Sequence, residues 1–252
     1  MWASRCFVIV REAYLWGLNM SIDFGIAFLP DEQFPFILNE GVTAIHHLQK
    51  LGVDPSNIIL VGESAGGSFV HALLSHYLHP YPDSSLVPKL TLTDNKPLGG
   101  AFLLSPWSKV GLAVGVPKGM FPTGHIKGPD ILTGATESYF ASVVLKVVPS
   151  PAIPYVDAIL ASMEQDGMDW YKGLQGATRR ILISLGTMET LRDAIKKQYE
   201  DMSRHHPDVE LYSHELAIHA DPHFDVILGE LKVTDLTKRI VEWLEETFTG
   251  EQ

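Results

Sequence analysis

Apolar positions along the chain follow two alternating rhythms. Residues 57–61 (NIILV), 98–104 (LGGAFLL), 180–185 (RILISL) and 209–214 (VELYSH) are short apolar-rich runs of strand length. Runs of this kind suit strands buried in a parallel sheet. Residues 19–29 (NMSIDFGIAFL) read as a further strand, closed by Pro30. The intervening segments change period. Residues 35–51 place Phe36, Ile37, Val42, Ile45 and Leu48 at helical intervals, and residues 65–78 are rich in Ala, Leu and Phe. Residues 191–202 and 224–248 supply helices after the last two strands. Alternation of this type predicts an α/β fold with a mostly parallel sheet and helices on both faces, its active groups beyond the carboxyl ends of the strands.

The rhythm breaks over residues 105–177, which hold many Pro and Gly and helical candidates at 136–147 and 155–165. A connection this long inside a compact domain is usually functional. It is read as a cap insertion, with residues 1–104 and 178–252 forming the core. Trp107, Phe121, Tyr139, Phe140, Trp170 and Tyr171 are available to line a pocket beneath it. The alternative is that these rings pack the insertion onto the core.

Composition narrows the class. The 252 residues suffice for one large domain, or one domain with an insertion, and 46% hydrophobic with 19% charged residues excludes a disordered or coiled-coil chain. A formal charge of −11 and the lack of a Lys/Arg stripe set nucleic acid aside as a partner. The single cysteine, Cys6, forms no internal disulfide and suits a reducing compartment. Apolar stretches such as 141–148, interrupted by Lys146, fall well short of the roughly 20 residues that span a bilayer. The apolar run within residues 1–10 is too short for a signal-peptide core, so the expected location is cytoplasmic.

Candidate chemistry centres on Gly62-Glu63-Ser64-Ala65-Gly66, a G-x-S-x-G sequence between the strand NIILV and the helix opening at Ala65. A strand–turn–helix setting of this kind lifts a serine hydroxyl above the sheet and aims the first helical N–H groups, that of Ala65 foremost, at an oxyanion. A phosphate-cradling turn is the competing reading, but the P-loop lysine and the G-x-G-x-x-G spacing are missing. A serine nucleophile needs a base and an acid that orients it, following in that fold on loops after later strands. After RILISL come Glu189 and, one helical turn on, Asp193; Glu189 is nearer the strand end. A charge favoured by a helix N-terminus is the alternative for Glu189. After VELYSH come His219 and then His223, with His219 the first choice, and the remaining nine histidines read as surface groups. His214, His219, Asp221 and His223 form a rival metal-binding set, against which stand the missing H-E-x-x-H form and Pro222.

These residues resemble the hormone-sensitive-lipase-like branch of the α/β-hydrolase fold, a family of serine carboxylesterases and lipases. LGVDPSNIILVGESAGGSFVHALL is similar to the family's elbow region, LLSPW and the insertion to its cap, and TMETLRDAI and AIHADPHFD to its acid and histidine segments. The resemblance implies an α/β-hydrolase with Ser64 as nucleophile, Glu189 as acid, His219 as base, Ala65 in the oxyanion hole and no cofactor or metal. It implies a small-molecule ester substrate, the cap suggesting an apolar one, and leaves the oligomeric state open. One departure stands out: no H-G-G-G segment precedes Gly62, and the family's first three strands have no counterpart, as in an N-terminally shortened chain. The expected consequence is a gap beside NIILV, with residues 7–10 as a partial filler or 9–17 as a helix. A catalytically weak or inactive protein that binds a small apolar ligand is the alternative function.

Overall fold

The computed structural model describes residues 6–12, 15–22, 34–110, 130–163, 169–223, 229 and 233–250. Six strands form one sheet: β1 (Cys6–Glu12), β2 (Leu15–Ile22), β3 (Ile58–Glu63), β4 (Gly100–Leu104), β5 (Ile181–Gly186) and β6 (Val209–His214), in the order β2-β1-β3-β4-β5-β6. The last four run parallel, each joined to the next through helical connections.

Side chains alternate across this sheet as strand geometry requires. Ile58 and Leu60, Ala101 and Leu103, and Ile181, Ile183 and Leu185 enter the larger core cluster. There they meet Leu38, Val42 and Ile45 of α1 (Phe36–Lys50), Val70, Leu73 and Leu74 of α2 (Ala65–Leu78), and Ile195 of α6 (Arg192–Ser203). The intervening Ile59, Phe102, Leu104 and Leu182 face Leu236 and Trp243 of α7 (Asp235–Thr249). Both faces are therefore helix-covered, which explains the nearly continuous apolar runs of the central strands.

The insertion carries α3 (Gly134–Val147), α4 (Ile153–Val156) and α5 (Ala158–Ser162). The single helix expected over 155–165 is split at Asp157. That buried carboxylate accepts from Ile159 N and Leu160 N, capping α5, and from Val110 N. Helix formation resumes after a side chain has replaced the missing backbone acceptor.

The largest departure lies at the N-terminus. The strand expected over 19–29 is displaced to Leu15–Ile22, residues 23–33 lying outside those described. Between it and β3 sits β1, antiparallel to both, with Cys6 opposite Gly62 and Val10 opposite Ile58. No gap opens beside β3, because residues 7–10, the expected partial filler, pair with it within β1, and the alternative helix over 9–17 is replaced by strand at 9–12 and 15–17. The run CFVIV is rich in β-formers, and pairing it satisfies backbone groups of β3 that a gap would leave orphaned.

Candidate active site

Ser64 stands between β3 and α2 at φ 54°, ψ −116°, a conformation that side chains other than glycine seldom adopt. Gly62 makes the turn possible: a Cβ there would lie 2.2 Å from the Gly66 carbonyl oxygen, inside the first turn of α2. Ser64 N donates to Leu104 O at 3.0 Å, and Trp107 N donates to Ser64 O at 2.9 Å. The segment leaving β4 thus clamps the serine backbone from both sides. Ala65 opens α2, and its N–H belongs to the first turn, whose donors have no partner within the helix.

The carboxyl ends of the next two parallel strands deliver the other groups. Glu189 follows β5 and is fully buried; His219 follows β6 and is 4% exposed. Gly186 lets the two loops meet, since a Cβ on it would fall 2.4 Å from Ala217 O. His219 Nε2 lies 2.9 Å from Ser64 Oγ, and Nδ1 lies 3.3 Å from Glu189 Oε2. An ionised carboxylate only accepts, so Nδ1–H donates to Glu189 and Nε2 offers its lone pair to the serine hydroxyl. Burial pushes the Glu189 carboxyl above its usual range, while the hydrogen bond from His219 pulls it back. Hydroxyl, imidazole and carboxylate in this order can pass a proton from oxygen to a ring whose cationic form the acid stabilises.

The runner-up residues lie elsewhere. Asp193 pairs with Arg192 Nε at 2.9 Å in the first turn of α6. His223 Nδ1 sits 3.0 Å from Glu63 Oε2, and His214 Nδ1 lies 3.4 Å from Asp221 Oδ2. His214 and Asp221 of the rival metal set thus lie together, but His219 and His223 turn to Glu189 and Glu63 outside it, and among the described residues no group of three or more such ligands converges.

One expectation needs correction. His71, His76 and His206 are buried rather than surface groups, because each finds partners inside. His71 contacts Tyr155 O and the Tyr171 hydroxyl, His76 binds Pro88 O and Tyr81 N, and His206 binds Thr178 O and Asp208 N. Desolvation lowers His71 to about 4, so it is neutral near pH 7. Among the candidate pocket aromatics the alternative holds for Trp170 and Tyr171, which are core residues with polar tips satisfied by Ser75 and His71. Tyr139 is 62% exposed and stacks edge-on with Phe140; Trp107 lies partly buried beside Ser64, and Phe121 falls outside the described residues.

Sequence reasoning missed two residues. The Ser105 hydroxyl accepts from Ala220 N at 3.2 Å, next to His219. Asp130 accepts from Thr190 N at 2.6 Å and from His219 N at 3.0 Å. Its only local signal, a carboxylate just before a helix capped by Thr133, gives no hint of partners 60 and 89 positions away.

Residues 18–222 match the family described as alpha/beta hydrolase fold. The chain belongs to that family. Solved structures with the same fold as this alpha/beta hydrolase include a hormone-sensitive lipase from a metagenome library, at 17% identity and TM-score 0.65, covering 91% of this chain and 67% of that one. An esterase/lipase from an uncultured bacterium shares 21% identity with TM-score 0.61, covering 87% and 63%. An esterase from the bacterial hormone-sensitive lipase family shares 24% with TM-score 0.57, covering 86% and 62%. The chain therefore spans less than two thirds of the latter two proteins' lengths. No curated protein matches it. Among the described residues no single helix is long and apolar enough to cross a membrane.

Proposed function

We propose that this alpha/beta hydrolase is a serine carboxylic-ester hydrolase of the carboxylesterase/lipase type, acting on a small or apolar ester beneath a cap formed by residues 105–177. The observation that carries the reading is the continuous contact Ser64 Oγ–His219 Nε2 and His219 Nδ1–Glu189 Oε2, at the carboxyl ends of three parallel strands. Ser64 Oγ attacks the ester carbonyl carbon as its proton passes to His219 Nε2, and Ala65 N–H stabilises the oxyanion. Collapse of the tetrahedral intermediate breaks the carbon–oxygen bond to the alcohol, which leaves with the proton from Nε2. Water then attacks the acyl-serine by the same route, releasing the acid and restoring the hydroxyl. Protein groups and water complete the proton and electron balance.

β1 bears on the rate. Because it runs antiparallel to β3, its carboxyl end at Glu12 lies at the opposite end of the sheet from Ser64. The carboxyl end of β1 is thus directed away from Ser64, and an oxyanion hole lacking one donor typically loses about 10²–10³ in turnover. Where that second donor is missing, turnover is slow within the same mechanism. A fluorophosphonate probe tests the reading: it labels the wild-type chain and fails to label folded Ser64→Ala, whereas labelling that survives the substitution refutes it.

A further inference from the structure

We infer that Asp130 is a positioning residue which locks the acid loop and the base loop together. The inference rests on the serine-hydrolase reading above. Asp130 enters from the insertion just before α3, and its two carboxylate oxygens divide their work. Oδ2 accepts from Thr190 N at 2.6 Å, the residue after Glu189, and Oδ1 accepts from His219 N at 3.0 Å. Thr190 Oγ1 adds a bond to Leu132 O at 2.7 Å, so the segment 130–132 is strapped to the acid loop twice.

The geometry shows why such a clamp matters. The Nδ1–Oε2 separation of 3.3 Å is already at the long end for a hydrogen bond of this type. A further displacement of a few tenths of an ångström between the loops weakens it, and Glu189 and His219 arise from different strands, 30 positions apart along the chain. Asp130 holds the backbone of one of these residues and the immediate neighbour of the other through charge-assisted bonds, fixing the separation at main-chain level. It touches neither Ser64 nor, in this mechanism, the reacting atoms. Its role is to keep the imidazole in register with its acid.

Asp130→Asn separates this role from a general structural one. The amide keeps the side chain's size but has only one acceptor, and its NH₂ opposes one of the two N–H donors. In the purified full chain the expected result is a drop of about 10–100-fold in both the fluorophosphonate labelling rate of Ser64 and kcat on p-nitrophenyl butyrate, with little change in KM. Amide exchange should accelerate at Thr190 and His219 while the α2 amides keep their protection. A folded Asp130→Asn chain whose labelling rate and kcat match wild type overturns the inference, as does a loss carried by KM alone. Should Asp130→Asn fail to fold, Asp130→Ser is read by the same criteria; unfolding of both marks a structural tie and overturns the positioning role. Ser64→Ala distinguishes the two levels. Wild type that is unlabelled, or labelling that persists in Ser64→Ala, sinks the serine-hydrolase reading and this inference with it. Labelling lost in Ser64→Ala but untouched by Asp130→Asn sinks only the role of Asp130.

Discussion

Ser64 is held at φ 54° and ψ −116° by two backbone hydrogen bonds from the β4 side, a conformation that costs a residue with a Cβ about 1–3 kcal/mol. Glycine escapes most of that cost. Ser64→Gly should therefore raise the melting temperature while abolishing labelling, as expected where strain is retained for function. Glu189 has its own tension with stability. Its carboxyl is raised by burial, so the folded chain holds the proton more tightly than the unfolded one. The resulting stabilisation is complete below the unfolded value and is lost as pH rises through the folded one. Glu189→Gln removes this dependence, and denaturant titrations across the acid range should show wild type losing stability relative to the variant as pH increases. Activity should move the other way: near neutral pH, kcat in Glu189→Gln should fall by about 10⁴, the loss seen when an orienting carboxylate becomes an amide. Ser64 and His219 were legible in the sequence because both sit at strand ends in the chain order the chemistry uses. Asp130 was not, since its partners become neighbours only when three separate loops meet.

At the scale of elements, the site depends on close approach between connections. Gly186 at the end of β5 lies against the Ala217 carbonyl, where a Cβ would come within 2.4 Å of the oxygen. Neither atom belongs to a flexible side chain, so Gly186→Ala must displace the base loop. Steady-state kinetics should show kcat reduced about 100-fold, the scale on which a 1 Å misplacement acts. Secondary structure was readable where burial imposes a clear pattern: α2 occupies the residues that the patterning marks, and β3, β4 and β5 lie within about two residues of them; β6, half-buried at the sheet edge, also occupies the marked residues. The N-terminal hairpin was harder because residues 6–22 form strands on either side of a short connection, whereas the family resemblance set one helix and one later strand there. Asp157 was similarly hidden, as its cap on α5 depends on breaking a helix whose apolar periodicity continues through it.

Across the whole molecule, the sheet divides labour between its faces. The face toward α1 and α2 builds the main core, while the other is sealed by α7, with Trp243 fully buried against Phe102 and Gly100. Arg239 binds Glu210 and Glu246, and Arg180 binds Asp208 and Glu246, tying α7 to β6 and to the start of β5. Trp243→Ala should therefore destabilise the chain by about 3–5 kcal/mol in denaturant unfolding. Because α7 contributes nothing to the contacts among Ser64, His219 and Glu189, kcat per folded molecule should stay close to wild type. Stability and chemistry are separable at α7, whereas at Ser64 and Glu189 the two are opposed. The most direct test of the central claim is hydrolysis of p-nitrophenyl acetate and butyrate by wild type and Ser64→Ala, with circular dichroism establishing that both are folded. Ester turnover by wild type that disappears in Ser64→Ala is the predicted result; a folded wild type with no turnover, or equal turnover in both chains, would contradict it.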